Sequence, residues 1–267
     1  MIVIYPHINP VIFSIGFLKI HWYALMYLFG FFSAWLLARY RVKKQNLNWS
    51  PDQISDLIFY AAIGVILGGR LGYMLFYDTA GWIHNPWQIL KIWQGGMSFH
   101  GGFLGVFIAL YCFSRKYTLP FLAITDFMAP LVPIGLAAGR VGNFINGELW
   151  GRATHLKNWG MIYPYVDWQP RHPSQLYECF FEGIVLFIII WLYTSKPRAT
   201  GSASGLFLIC YGVFRFLLEF FREPDAPLGF IWDGWLTMGQ LLSFPMIILG
   251  IFLCASTYRR RQHASLS

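Results

Sequence analysis

The chain has 267 residues, of which 57% are hydrophobic, 19% aromatic and 12% charged. An ordinary soluble domain carries about 25% charge, so a soluble globular enzyme, a disordered chain and a repeat solenoid are excluded, and lipid is read as the main solvent. The net charge of +8 comes from basic residues at the ends of apolar runs; these read as topology signals, and nucleic acid is not an expected partner.

The first segment, MIVIYPHINPVIFSIGF, lacks a positive n-region. It is not read as a cleavable signal peptide. Seven apolar runs follow, each near the length a bilayer requires: Ile20–Ala38, Leu57–Tyr77, Ile92–Ser114, Tyr117–Gly139, Leu176–Ser195, Gly205–Phe221 and Trp235–Tyr258. The third is Gly-rich at its start, and the fourth contains Pro130 and Pro133, so both allow broken or re-entrant helices. The expected fold is all-α, a single membrane domain of about seven spans. Cys112, Cys179, Cys210 and Cys254 lie in or beside these runs without a CxxC pair. They read as small buried hydrophobes, with neither disulfide nor zinc expected.

Basic residues fall in alternate loops: Arg39, Arg41, Lys43 and Lys44; Arg115 and Lys116; Lys196 and Arg198; and the tail Arg259–Arg261. The positive-inside rule makes these loops cytoplasmic, with the N-terminus outside and the C-terminus inside. The opposite segments, Asp78–Lys91 and Val141–Gln175, carry Trp82, Trp87, Trp150, Trp159, Tyr163, Tyr165 and Trp168. They suit the lipid–water interface of an outward-facing head. No internal repeat supports a transporter for an anionic solute, and no DxD or DDxxD run supports a metal-dependent polyprenyl-phosphate transferase.

A charge inside a span costs about 2.5–3.5 kcal/mol on insertion scales, yet Arg70, Asp126, Arg140, Glu148, Glu178, Glu182, Arg215, Glu219 and Arg222 lie in or beside the runs. Arg70, Asp126 and Glu219 suit structural pairs. Arg140, Glu148, Glu178, Arg215 and Arg222 fall near the outer ends of three runs and are expected to converge on a polar cavity. Four segments concentrate the polar chemistry. GRVGNFINGELWG (Gly139–Gly151) sets Arg140, Asn143, Asn146 and Glu148 among glycines; an arginine fork there suits a phosphate. GGMSFHGGFLG (Gly95–Gly105) carries His100, a side chain able to take a proton near neutrality. Tyr211 and Arg215 stand four apart on one helical face. HPSQLYE (His172–Glu178) reads as a helix entry, and Ser174 lacks the elbow of a nucleophile.

These segments closely resemble the bacterial prolipoprotein diacylglyceryl transferase family, whose signature G-R-x-G-N-F-x-N-x-E-x-x-G is met at every fixed position of Gly139–Gly151. The HGG at His100–Gly102, HPSQLYE, the Y-G-x-x-R at Tyr211–Arg215 and the R-E-P-D at Arg222–Asp225 match in the same order. The resemblance implies transfer of a diacylglyceryl group from phosphatidylglycerol to the lipobox cysteine of a prelipoprotein in the bacterial inner membrane. A thioether forms, glycerol 1-phosphate leaves, and neither metal nor other cofactor takes part. By the same resemblance Arg140 and Arg215 clamp the phosphate, and Asn143 and Glu148 orient the head group or the arginines. Tyr23 and Tyr211 hydrogen-bond the head group, and Asn146, Gly151 and Arg222 complete the substrate-binding set. His100 is the candidate base for the thiol, whose free pKa near 8.5 calls for a base or a positive environment.

Overall fold

A computed structural model describes residues 3–266 apart from 17, 92–94, 156–158, 225–228 and 233, with the backbone alone given for 15, 18, 80–82 and 260–266. Ile92 and Asp225, and the side chains of Trp82, Arg260 and Arg261, lie outside the described residues. Helices dominate: α1 Trp22–Gln45, α2 Pro51–Phe76, α3 Thr79–His84, α4 Phe99–Tyr117, α5 Phe121–Met128, α6 Val132–Asn146, α7 Ser174–Glu178, α8 Leu186–Tyr193, α9 Ser202–Leu218 and α10 Met238–Leu266. A π-helical segment, Cys179–Val185, joins α7 to α8 without a break. The all-α expectation takes one correction. Short strands β1 Val3–Ile4, β4 Met161–Ile162 and β5 Pro170–Arg171 form one sheet in the order β1-β4-β5, and β2 Val11–Ile15 pairs antiparallel with β3 Leu18–His21.

Among the described residues, three helices are long and apolar enough to cross a membrane: Pro51–Phe76, Ser174–Tyr193 and Met238–Arg259. A fourth arises if α5 and α6, bent by 52° at their junction, count as one. The sixth run is a shorter helix, Ser202–Leu218. Trp, Tyr and terminal basic residues lower the hydropathy of α1 and α4. Two boundaries differ from the sequence reading. In the third run α4 begins at Phe99, because Gly95 and Gly96 adopt positive φ and Ser98 caps the helix by accepting from Gly101 N–H. The fourth breaks between Met128 and Val132, where Pro133 sits in the first turn of α6. Local signals explain α2 directly: Ser50 and Gln53 form a reciprocal capping box and Pro51 occupies the first turn.

The chain divides into two compact units, Ala34–Thr125 and Met1–Ser33 with Asp126–Ser267. In the first, α2 and α4 pack with Gly64, Gly68 and Gly72 against Gly101 and Gly105, so closely that a Cβ at Gly68 would strike the Gly101 carbonyl. Buried Arg70 is structural. Its guanidinium donates to the carbonyls of Gly95 (2.6 Å), Gly96 (3.2 Å), Ile89 (3.2 Å) and Gln88. Cys112, expected inside, is exposed on α4, and the other three thiols are half-buried. An apolar face turned to lipid satisfies a thiol as a protein core does.

In the second unit, Asp126 serves α9. Its carboxylate accepts from Gly201 N–H (2.6 Å), Ser204 N–H (2.7 Å) and the Ser204 hydroxyl (2.6 Å), giving this helix start the anion that its N-cap, Gly201, lacks. Asp126→Ala should therefore cost about 1.5–3 kcal/mol of stability, read as a lower thermal midpoint in detergent; an unchanged midpoint would refute the capping role.

Candidate active site

The motif's second half is held by the end of α6. Gly147, at φ +68°, closes the helix. Aromatic hydroxyls then take its carbonyls: Tyr5 donates to Phe144 (2.7 Å) and Ile145 (2.9 Å), and Tyr165 to Gly147 (2.6 Å). Burial pushes the Tyr5, Tyr163 and Tyr165 phenols up, so they stay neutral and can donate. The turn that follows brings Asn143 Nδ2 to Glu148 Oε1 at 2.8 Å and Asn146 Nδ2 to the same oxygen at 3.3 Å. The backbone is anchored from the next segment, as Gln175 Nε2 donates to the Glu148 carbonyl (2.6 Å) and the Ser174 hydroxyl to that of Leu149 (2.8 Å). Leu149 holds φ +57° without being glycine, a strained conformation of the kind found at functional sites.

Gly151 lies where three chain segments meet. Its N–H donates to the His172 carbonyl at 2.8 Å, and it bridges Arg222. Nearby, Arg171 donates to Asp167 (2.6 Å) and to Glu223 and the Gly151 carbonyl (3.2 Å each). The Arg171 guanidinium holds the Asp167 carboxyl below its usual range, and burial pushes the His172 imidazole down.

The charged centre joins α6, α7 with its π segment, and α9. Glu178 and Glu182 are fully buried. Glu178 takes Arg140 Nε on one oxygen (3.0 Å) and Arg215 Nη1 on the other (2.8 Å), with Arg222 Nη1 at 3.8 Å. Glu182 meets Arg140 Nη2 at 3.2 Å and Arg215 Nη1 at 3.8 Å. Glu219 pairs with Arg215 Nη2 at 2.6 Å. The Arg140, Arg215 and Arg222 side chains keep 17%, 14% and 9% exposure, while those of Glu178 and Glu182 keep none. Tyr211 lies within electrostatic reach of Arg140, Arg215 and Glu182. The Tyr23 ring lies against Gly142, where a Cβ would approach it to 2.7 Å.

The expected convergence of Arg140, Glu178, Arg215 and Arg222 is thus met, with Asn143, Asn146 and Glu148 forming an adjoining group on the same helix end. His100 belongs to the other unit, exposed on the first turn of α4 with its ring edge-on to Phe99 at 5.7 Å. The sequence reading gave Glu182 and Glu219 no part in the site. Their signal was spacing: Glu178 and Glu182 stand four apart in one apolar run, and Tyr211, Arg215 and Glu219 repeat at four on another. π-Helical turns inside α-helices also mark functional sites, and this one carries Glu182.

Apolar helices around a buried arginine–glutamate centre are the architecture of a membrane protein with a polar site among its helices. The chain belongs to the prolipoprotein diacylglyceryl transferase family, which matches residues 10–256. It is 65% identical over 249 residues to the phosphatidylglycerol–prolipoprotein diacylglyceryl transferase of Legionella pneumophila strain Corby, covering 93% of this chain and 97% of the relative. Against the enzyme of that name from Coxiella burnetii strain RSA 331 the identity is 56% over 258 residues, 97% of this chain and 98% of the relative.

Proposed function

We propose that the chain transfers the diacylglyceryl group of phosphatidylglycerol to the lipobox cysteine thiol of prelipoproteins in the bacterial inner membrane. The cysteine sulfur bonds to the glyceryl carbon, that carbon's bond to the phosphate oxygen breaks, and glycerol 1-phosphate departs while the thiol gives up its proton. The convergence of Arg140 and Arg215 on one carboxylate carries this reading, since two forks aimed at one anion can also hold a phosphodiester. Arg140 engages the carboxylates through Nε and Nη2, which leaves Nη1 for a phosphate oxygen. As the leaving oxygen gains charge, guanidiniums in a water-poor site stabilise it most. Asn143, Asn146 and Glu148 orient the head group, with Tyr23, Tyr211, Gly151 and Arg222 completing its surroundings. Seven crossings, an outside N-terminus, a cytoplasmic C-terminus and an outward-facing head put this site within reach of exported substrates.

The direct test is purified protein with phosphatidylglycerol and a lipobox peptide, read by mass spectrometry for the diacylglyceryl adduct. A peptide that stays unmodified while the protein is folded would count against the reading. His100 is assigned as the base for the thiol. His100→Gln should slow transfer by about 10²–10⁴-fold and change the pH–rate profile. An unchanged profile would leave His100 a structural role.

A further inference from the structure

Among the described residues, the charges at the centre balance, with Arg140, Arg215 and Arg222 facing Glu178, Glu182 and Glu219. The three carboxylates are not held alike. Glu219 is pinned: the Thr237 hydroxyl donates to it at 3.0 Å, and a Cβ on Gly239 would come within 2.8 Å of its carboxyl. Glu178 and Glu182 are fully buried and are held by guanidiniums alone, with neither hydroxyl nor backbone N–H on their oxygens among the described residues. Each keeps one oxygen, Glu178 Oε2 and Glu182 Oε1, without a hydrogen bond among the described residues, and a buried carboxylate held only by arginines occupies the contacts that an anionic ligand would seek.

We infer that Glu178 and Glu182 are exchangeable counter-ions that yield guanidinium contacts to the lipid phosphate and reclaim them to expel the phosphate product. The inference rests on the phosphate-clamp reading above. Phosphatidylglycerol presents a phosphodiester with one negative charge. The departing glycerol 1-phosphate is a monoester and, like other phosphate monoesters, carries about −1.5 to −2 at neutral pH. Arginines alone would hold product more tightly than substrate and trap it. Fixed carboxylates repel an anion in proportion to its charge, so they penalise the product more than the substrate and tip the site toward release. Glu178 and Glu182 are positioning residues in this scheme, acting through Arg140 and Arg215.

The test is product inhibition of the purified full chain by glycerol 1-phosphate. In Glu178→Gln the inhibition constant should fall about tenfold or more. The KM for phosphatidylglycerol should fall less, and kcat should drop as release becomes limiting. Glu182→Gln, at longer contacts, should move the same way by a smaller factor. A merely structural role would lower the folded yield and leave both constants where they were, which overturns the inference. If neither variant folds, the wild type decides. With isotope-labelled glutamate, adding glycerol 1-phosphate should shift a carboxylate stretch in the infrared difference spectrum, and no shift overturns the inference. A wild type and variants all indifferent to glycerol 1-phosphate remove the clamp and this inference together. A wild type inhibited as strongly as its variants removes this inference alone.

Discussion

Arg140→Ala and Arg215→Ala should each abolish diacylglyceryl transfer, a loss of about 10³-fold or more, since a single donor aimed at developing charge in a dry site is worth about 10²–10³-fold. Each alanine also strips a partner from fully buried carboxylates, and breaking such a pair costs about 3–5 kcal/mol. The folded fraction must therefore be measured beside the rate. Arg140→Lys separates the two effects. It keeps the positive charge for Glu178 and Glu182 but cannot present Nε and Nη2 as a planar fork. The expected result is a folded protein, monodisperse in detergent, with transfer to a lipobox peptide down by about 10²-fold. Wild-type turnover in the lysine variant would mean that the fork is not what holds the phosphate.

Gly151→Ala is expected to be nearly as damaging, for a steric reason. An added Cβ would lie 2.5 Å from the His172 carbonyl oxygen and collide with that of Phe221. Both obstacles are backbone, so relief requires moving the segment that carries Arg222 or the one that leads into Glu178. Overpacking of this kind costs about 1–3 kcal/mol, sometimes more. Here it also displaces Arg222 from the charged centre and the Glu148 turn from Gln175. The expected outcome is loss of transfer with a lower thermal midpoint. Gly139→Ala provides the contrast. It lies inside α6 with open space where the Cβ would go, and replacing a mid-helix glycine with alanine stabilises by about 0.5–1 kcal/mol. Its midpoint should hold or rise. Equal midpoints for the two variants would contradict the packing around Gly151.

Gly139 and Gly151 show how far sequence reading reaches. Both are fixed positions of one signature, and pattern alone treats them alike; the difference lies in Phe221 and His172, brought to Gly151 from elsewhere in the chain. The apolar runs were legible because lipid leaves a chain few ways to satisfy its backbone, and each run maps onto a helix or a bent pair of helices. Helix starts were less legible. The third run is apolar from Ile92, while α4 starts at Phe99, after positive φ at Gly95 and Gly96 and behind the Ser98 cap. The small sheet β1-β4-β5 escaped notice because its strands are two residues long, too short for any alternation to register.

The sequence by itself determined the helical class, the concentration of arginine, asparagine and glutamate in Gly139–Gly151, and the family, since hydropathy and motif spacing are properties of neighbouring residues. Only the tertiary structure decided who neutralises whom. Arg215 and Glu178 are 37 positions apart, and Arg140 and Glu182 are 42 apart. A counter-ion's identity depends on which helices face one another across a few ångströms, and that is set by packing of whole segments.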